Sequence, residues 1–189
     1  MSRPRIVGIG GTTRPGSGTE KALVLSLAAT EAAGAETQLF GGDFLARLPV
    51  YAPSEAPPTD EQRALADAVR GADGVIVASP GYHGSISGLI KNALDSLELL
   101  RDDPTPYFQG RPVGCIITAD GWQAAGTTLM ALRSIIHALR GWPTPFGAAL
   151  NSTTNLFDAE GRCREPKDAW QLTTVADQVM EFARMRAAT

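Results

Sequence analysis

The sequence is poor in the residues that build metal centres and disulfide frameworks. It has two cysteines and two histidines among 189 residues, and no Cys-x-x-Cys pair, which argues against a zinc site or a redox dithiol. Cys115 lies inside the apolar run PVGCIIT and is expected to be a small core residue. Long apolar runs are also missing. None approaches the ~18 residues needed to span a bilayer, and the apolar part of MSRPRIVGIGG is too short for a secretory signal. The cytoplasm is therefore the expected compartment, and the Asn151-Ser152-Thr153 glycosylation pattern is read as chance. A strong charge imbalance is absent as well. A formal net charge of −3 predicts neither a nucleic-acid nor an anionic-membrane surface.

What is present is an ordinary globular composition, 43% hydrophobic and 20% charged, on a chain long enough for one domain (1–189) whose core needs no covalent staples. Apolar runs at 5–9, 35–40, 74–79 and 112–118, with a weaker one at 144–149, read as five strands. Helical patterns lie between them. One covers 19–33; a second follows Thr59, which with Gln62 has the form of a capping box. A third carries Ile86, Leu89, Ile90, Ala93, Leu94 and Leu97; a fourth covers 125–139; Asp168 is positioned to cap a last one. A Pro- and Gly-rich loop fills 41–58. Strands that are almost continuously apolar must be covered on both faces. The chain therefore reads as an α/β doubly wound five-stranded parallel sheet, order 2-1-3-4-5, with helices on both faces.

In such a sheet, ligands sit beyond the carboxyl ends of the strands. The loop after the first strand is GGTTRPGSGTEK. Free N–H groups at a helix N-terminus bind anions, and hydroxyls add donors. Gly-x-Gly-x-x-Gly fails, because Thr13 stands where a glycine is required. The P-loop also fails, because Ser17 and Gly18 follow Gly16. The pattern predicts a single phosphate held by Thr12, Arg14, Ser17 and Thr19. The plainer alternative is a glycine-rich turn in which Ser17 or Thr19 merely caps the helix. After the third strand comes SPGYHGSISG. Gly81 and Gly84 permit close backbone approach to a flat ligand. Tyr82 offers an apolar face and Ser85 a hydroxyl. One phosphate plus one flat, polar-edged ring suggests FMN.

Here the sequence resembles the NAD(P)H-dependent FMN reductases, a flavodoxin-like group that includes flavin, quinone, azo-dye and chromate reductases. The family's Gly-Ser-x-Arg-x-x-Ser-x-Asn/Thr appears as Gly11 to Thr19, with Thr12 keeping the hydroxyl. Its Pro-x-Tyr-x-x-Ser appears as Pro80, Gly81, Tyr82, His83, Gly84 and Ser85. Its Gly-x-x-Lys-Asn-x-Leu-Asp appears as Gly88 to Asp95. Gly81 replaces the family's usual Glu or Thr, and His83 its frequent Asn. Asp120, Gly121 and Trp122 fall where the family places a third flavin-contacting loop. Trp122 is unusual there and either lines the pocket or packs at a subunit interface.

The resemblance implies hydride transfer from NADPH or NADH to FMN, with the electrons passing to an acceptor or to a partner flavin-dependent monooxygenase. The cofactor carries that chemistry, so no catalytic side chain is expected, and His83 reads as a ring-edge contact or a surface residue. Met130 and Leu132, where some relatives that hand flavin on carry an extra aromatic, favour retention of FMN. The rivals are a quinone, azo or chromate reductase with tightly bound FMN, and a flavodoxin-type electron carrier. Lys91, Asn92 and Asp95 read as anchoring groups. Arg14 or Arg111 is expected to favour NADPH modestly. Leu97, Leu99 and Leu100 exceed what one sheet face is expected to cover, which predicts a homodimer or homotetramer.

Overall fold

The computed structural model describes residues 3–53 and 57–188; Met1, Ser2, Thr189 and the middle of the Pro- and Gly-rich loop (54–56) lie outside the described residues. Arg5–Gly10 (β1) leads into Gly18–Ala32 (α1) and Glu36–Phe40 (β2). A short helix Gly42–Leu45 (α2) and Asp60–Arg70 (α3) precede Gly74–Tyr82 (β3). Ser85–Ile86 (β4), Gly88–Asp95 (α4) and a 3-10 turn at Ser96–Leu100 follow. Pro112–Ala119 (β5), Trp122–Ala138 (α5), Trp142–Pro143 (β6), Ala148–Asn151 (β7) and Pro166–Ala187 (α6) complete the described chain.

The sheet runs β2-β1-β3-β5-β6, with β7 also pairing β5 and β4 pairing β3. Apart from the antiparallel β4, every pairing is parallel. The expected order 2-1-3-4-5 survives in outline, but the single fifth strand at 144–149 does not. β6 pairs with Pro112 and Val113, β7 pairs with Ile116 to Ala119, and the four residues 144–147 bulge past Gly114 and Cys115. Pro143 and Pro145 supply no N–H donor and interrupt the ladder there.

Strand side chains alternate between two cores. Val7, Ile9, Val75, Val77, Val113, Cys115 and Ile117 join α3, α4 and α5 on one face. Ile6, Ile76 and Ile116 join α1 and α6 on the other. Two glycines let the second pair of helices press close to the sheet. A Cβ on Gly8 would lie 2.6 Å from Leu27, and one on Gly114 2.5 Å from Val175. The capping box at Thr59 and Gln62 is present in both directions. Asn92 anchors the preceding loop to α4, accepting from the Tyr51 N–H at 2.7 Å and donating to the Pro49 carbonyl at 3.0 Å. Lys91 pairs with Asp95 one turn along, at 2.7 Å.

Three expectations change here. Ile86 belongs to β4 rather than to a helix, because the chain first makes a tight hairpin. α6 starts at Pro166, whose ring fixes a helical φ, so Asp168 lies buried in the first turn instead of capping the helix. Leu97 and Leu100 are both fully buried within the monomer, leaving Leu99 alone at 39% exposure. The 3-10 turn rolls both side chains inward, so the crowding that suggested a partner subunit is absent at these positions.

Arg111 is likewise not where a nucleotide would meet it. It precedes β5 at the amino end of the sheet and is 8% exposed. Its guanidinium donates to the carbonyls of Ala72 (2.8 Å), Tyr107 (3.1 Å) and Arg70 (2.7 Å). Those bonds compensate a buried charge, and they clasp the end of the sheet opposite to the strand carboxyl ends.

Cys115 is fully buried in β5, and burial pushes its thiol pKa up to about 12. The unfolded thiol titrates near ~8.5. The neutral form is therefore favoured by folding, and this contribution is present below that pH and lost as pH rises toward about 12. We expect a thiol alkylating agent at pH 8 to leave Cys115 unmodified in the native protein and to label it after urea unfolding. Peptide mapping that finds Cys115 labelled rapidly without denaturant would contradict the buried placement.

Candidate functional site

Because β1, β3, β5 and β7 run parallel, their carboxyl ends open on one side of the molecule. A cleft of about 780 Å³ lies there. Its walls come from four places: the β1–α1 loop, the end of β3, the end of β5, and the segment after β7.

The first wall is built around the start of α1. Gly11 turns the chain with φ +119°. The Thr12 hydroxyl accepts from the Arg14 N–H at 3.2 Å, closing a small local turn. Ser17 occupies the N-cap, and its Oγ accepts from the Glu20 N–H at 3.3 Å. The N–H groups of Gly18 and Thr19 belong to the first helical turn, which has no intrahelical acceptors for them. Thr19 is buried and its hydroxyl lies 2.5 Å from that of Thr118, tying α1 to β5. The plainer reading of this loop is met in that Ser17 caps the helix, and the same cap lies on the wall of the cleft. Arg14 and Lys21 also line the cleft, and neither takes part in an ion pair among the described residues. Both cations stand beside a helix N-terminus, which favours an anion, while the carboxylate of Glu20 in the same turn is engaged by the Gly42 N–H.

The β3 loop is a two-residue hairpin. Tyr82 pairs with Ser85 across His83 and Gly84, which have φ +52° and +86°. A turn with positive φ at both central positions matches the twist of the flanking strands. Of the residues expected here, Pro80 and Tyr82 line the cleft, whereas His83, Gly84 and Ser85 stand exposed at the tip. Gly81 faces the other way. A Cβ there would lie 2.8 Å from both the Ala119 Cβ and the Thr128 Oγ1. Thr128 Oγ1 is the single buried side-chain polar atom without a partner among the described residues.

At the end of β5, Thr118 and Asp120 reach the cleft while Gly121 and Trp122 do not line it. Trp122 begins α5 at 57% exposure, and the Lys167 ammonium lies 5.9 Å from the centre of its ring. Sequence reasoning missed the fourth wall, Ser152 to Phe157. The Ser152 hydroxyl donates to Asp120 at 2.8 Å. Phe157 is buried and approaches Gly18, where a Cβ would meet its ring at 3.6 Å. The sequence signal was the hydroxyl-rich run Ser152 to Thr154 directly after the last strand. Among the described residues no group of three His, Cys, Asp or Glu side chains is placed to hold a metal ion.

A parallel sheet covered on both faces, with an anion-attracting helix start and a long cleft at its carboxyl edge, defines a flavodoxin-like α/β protein. The family described as NADPH-dependent FMN reductase matches residues 4–155, and the chain belongs to that family. The FMN-dependent NADPH-azoreductase of Staphylococcus aureus (strain COL) is 32% identical over 120 residues, which is 62% of this chain and 60% of that protein. The chain thus spans less than two thirds of the length of the curated relatives it matches. Among solved structures, the flavoenzyme NAD(P)H:(acceptor) oxidoreductase FerB from Paracoccus denitrificans superposes with a TM-score of 0.78 at 22% identity, covering 97% of this chain and 98% of that one. The apo NADH:FMN oxidoreductase EMOB gives 0.70 at 23% identity, covering 96% and 89%. At these identities the structural likeness concerns the fold.

The first wall depends on a close backbone contact. A Cβ on Gly42 would fall 1.8 Å from the Thr12 carbonyl oxygen, and the Gly42 N–H donates to Glu20 at 2.9 Å. At neighbouring Gly41, a Cβ would meet only the flexible end of Glu20, at 3.0 Å. Gly42→Ala should lower stability in urea by roughly 1–3 kcal/mol, as overpacked sites do, with Gly41→Ala costing much less. Equal effects at the two positions would show that the Thr12 contact is not rigid.

Proposed function

We propose that this chain is an NAD(P)H-dependent FMN reductase, one flavodoxin-like domain that holds a single FMN in the cleft at the carboxyl edge of the sheet. The observation that carries this reading is the cleft's mixed lining. The β1–α1 segment contributes the start of α1, the hydroxyls of Thr12 and Ser17, and the cations Arg14 and Lys21, which form no ion pair among the described residues. The ends of β3 and β5 contribute Pro80, Tyr82 and Asp120. A phosphate suits the first group and a flat ring the second. The volume, about 780 Å³, lies within the range of small-molecule sites.

The residues divide the work accordingly. Arg14, Lys21 and the N–H groups of Gly18 and Thr19 hold the phosphate. Tyr82 offers a ring face. Ser152 keeps Asp120 in place by a hydrogen bond of 2.8 Å. Leu156 and Phe157, both buried, keep water from the inner side of the cleft. When bound, FMN supplies the hydride-accepting chemistry. No side chain is assigned an acid or base role, and exposed His83 is left outside the chemistry. The electrons go on to an acceptor or to a partner flavin-dependent monooxygenase. A reductase that keeps its FMN and reduces an azo, quinone or chromate acceptor is a second reading, favoured by the similarity to the FMN-dependent NADPH-azoreductase of Staphylococcus aureus.

A homodimer or homotetramer is also proposed. Its support is no longer Leu97 and Leu100 but the exposed Val50 and Leu99 along a groove, and Trp122 and Met130 on α5. No helix among the described residues is long and apolar enough to cross a membrane, and we take the cytoplasm as the working compartment.

The test is steady NADPH oxidation by the purified protein with FMN and without a partner reductase. A flavodoxin-type electron carrier would give none. Arg14→Ala combined with Lys21→Ala should weaken FMN binding by well over tenfold, since each charge-assisted hydrogen bond is worth roughly 1.5–3 kcal/mol. This pair is preferred to one that includes Ser17, because removing the Ser17 cap would cost about 1 kcal/mol of stability by itself. An unchanged FMN titration would put the phosphate elsewhere.

With Arg111 engaged at the far end of the sheet, the expected NADPH preference falls to Arg14, whose several guanidinium donors serve an arriving 2′-phosphate as well as the FMN phosphate. Its contacts are open to solvent and screened by salt. The ratio of kcat/KM for NADPH over NADH should therefore exceed one at low salt and fall as salt rises. A preference for NADH, or a ratio indifferent to salt, would sink this account.

A further inference from the structure

We infer that Asn151 is a positioning residue whose side-chain oxygen latches the third wall of the cleft to the fourth, so that both face the bound flavin as one unit. The inference rests on the FMN-binding reading above. Asn151 ends β7, and its Oδ1 accepts three hydrogen bonds: from the Gly121 N–H at 3.0 Å, the Thr153 N–H at 3.1 Å and the Thr153 hydroxyl at 2.8 Å. The bonds to Thr153 form an Asx turn that folds the chain back immediately after the strand. The bond to Gly121 crosses to a loop 30 residues earlier in the chain.

Two further bonds join the same loops. The Ser152 N–H donates to the Ala119 carbonyl at 2.9 Å, extending the β5–β7 ladder by one step. The Ser152 hydroxyl donates to Asp120 at 2.8 Å. Asp120, Ser152, Thr153 and Thr154 all line the cleft, whereas Gly121 does not. The latch therefore lies behind the lining and sets where the lining stands.

Gly121 is the part that needs holding. Its φ of +96° and ψ of 150° lie outside the range of most side-chain-bearing residues. Glycine pays a large entropy to stay in one such conformation. A single acceptor aimed at its N–H selects that conformation before a ligand arrives. The Asn-Ser-Thr sequence, matching a glycosylation acceptor by pattern alone, thus has a structural use in which the carboxamide oxygen is already committed.

Only the oxygen of Asn151 is used in these bonds, so aspartate can replace it and alanine cannot. The test compares wild type, Asn151→Ala and Asn151→Asp by FMN titration, together with NMR amide exchange at Gly121 in the flavin-free proteins. Asn151→Ala should weaken FMN binding and speed Gly121 exchange by at least about tenfold each, while Asn151→Asp stays within about threefold of wild type in both. A general packing role would not yield rescue by aspartate. FMN affinity unchanged in Asn151→Ala, or Asn151→Asp as weak as Asn151→Ala, overturns the inference. If wild type binds no FMN, the proposed function fails, and Gly121 exchange alone decides whether the latch exists.

Discussion

Everything at the functional end of this protein depends on parallel pairing of β1, β3 and β5 through the centre of the sheet. Parallel strands buried on both faces need helical crossovers, and each crossover returns the chain to the same side. The loops that leave the strands are thereby gathered at one edge, together with the N-terminus of α1. The cleft is a consequence of that pairing, before any particular side chain is considered. Close helix packing at Gly8 and Gly114 holds the arrangement, because larger residues there would meet Leu27 and Val175.

The two ends of the sheet handle polar groups differently. At the amino end, Arg111 is buried and spent on three carbonyls. At the carboxyl end, Arg14 and Lys21 stand in the cleft without ion pairs among the described residues. An unfulfilled cation beside a helix N-terminus is suited to an anionic ligand, whereas a fully bonded one is part of the scaffold. Among the described residues the buried hydroxyl of Thr128 has no hydrogen-bond partner, and it lies directly behind Gly81, where a Cβ would approach it to 2.8 Å.

The cleft is also held together by bonds that never reach its surface. Glu20 links α1 to Gly42, the hydroxyls of Thr19 and Thr118 join α1 to β5, and Asn151 joins the β5 loop to the segment after β7. Each brings together residues far apart in sequence. A site built on loops gains precision only when the loops are locked to one another, and these bonds serve that purpose.

Local pattern was enough for much of this. Strand runs such as 74–79 and 112–118, the Thr59 capping box, the burial of Cys115 and the glycine-rich turn before α1 all follow from short-range preferences and hydrophobic periodicity. The glycine- and hydroxyl-rich loop before α1 and the Pro80–Tyr82 segment, both on the cleft, were legible for the same reason, since each is a run of adjacent residues. Tertiary structure alone decided the rest. It buried Leu97 and Leu100 by a 3-10 turn, split the last strand around two prolines, turned Arg111 to the wrong end of the sheet, and added Ser152 to Phe157 as a wall. The physical reason is common to all four. A residue's partner 30 or 40 positions away is chosen by sheet register and crossover geometry, and neither leaves a periodic trace in the residues themselves.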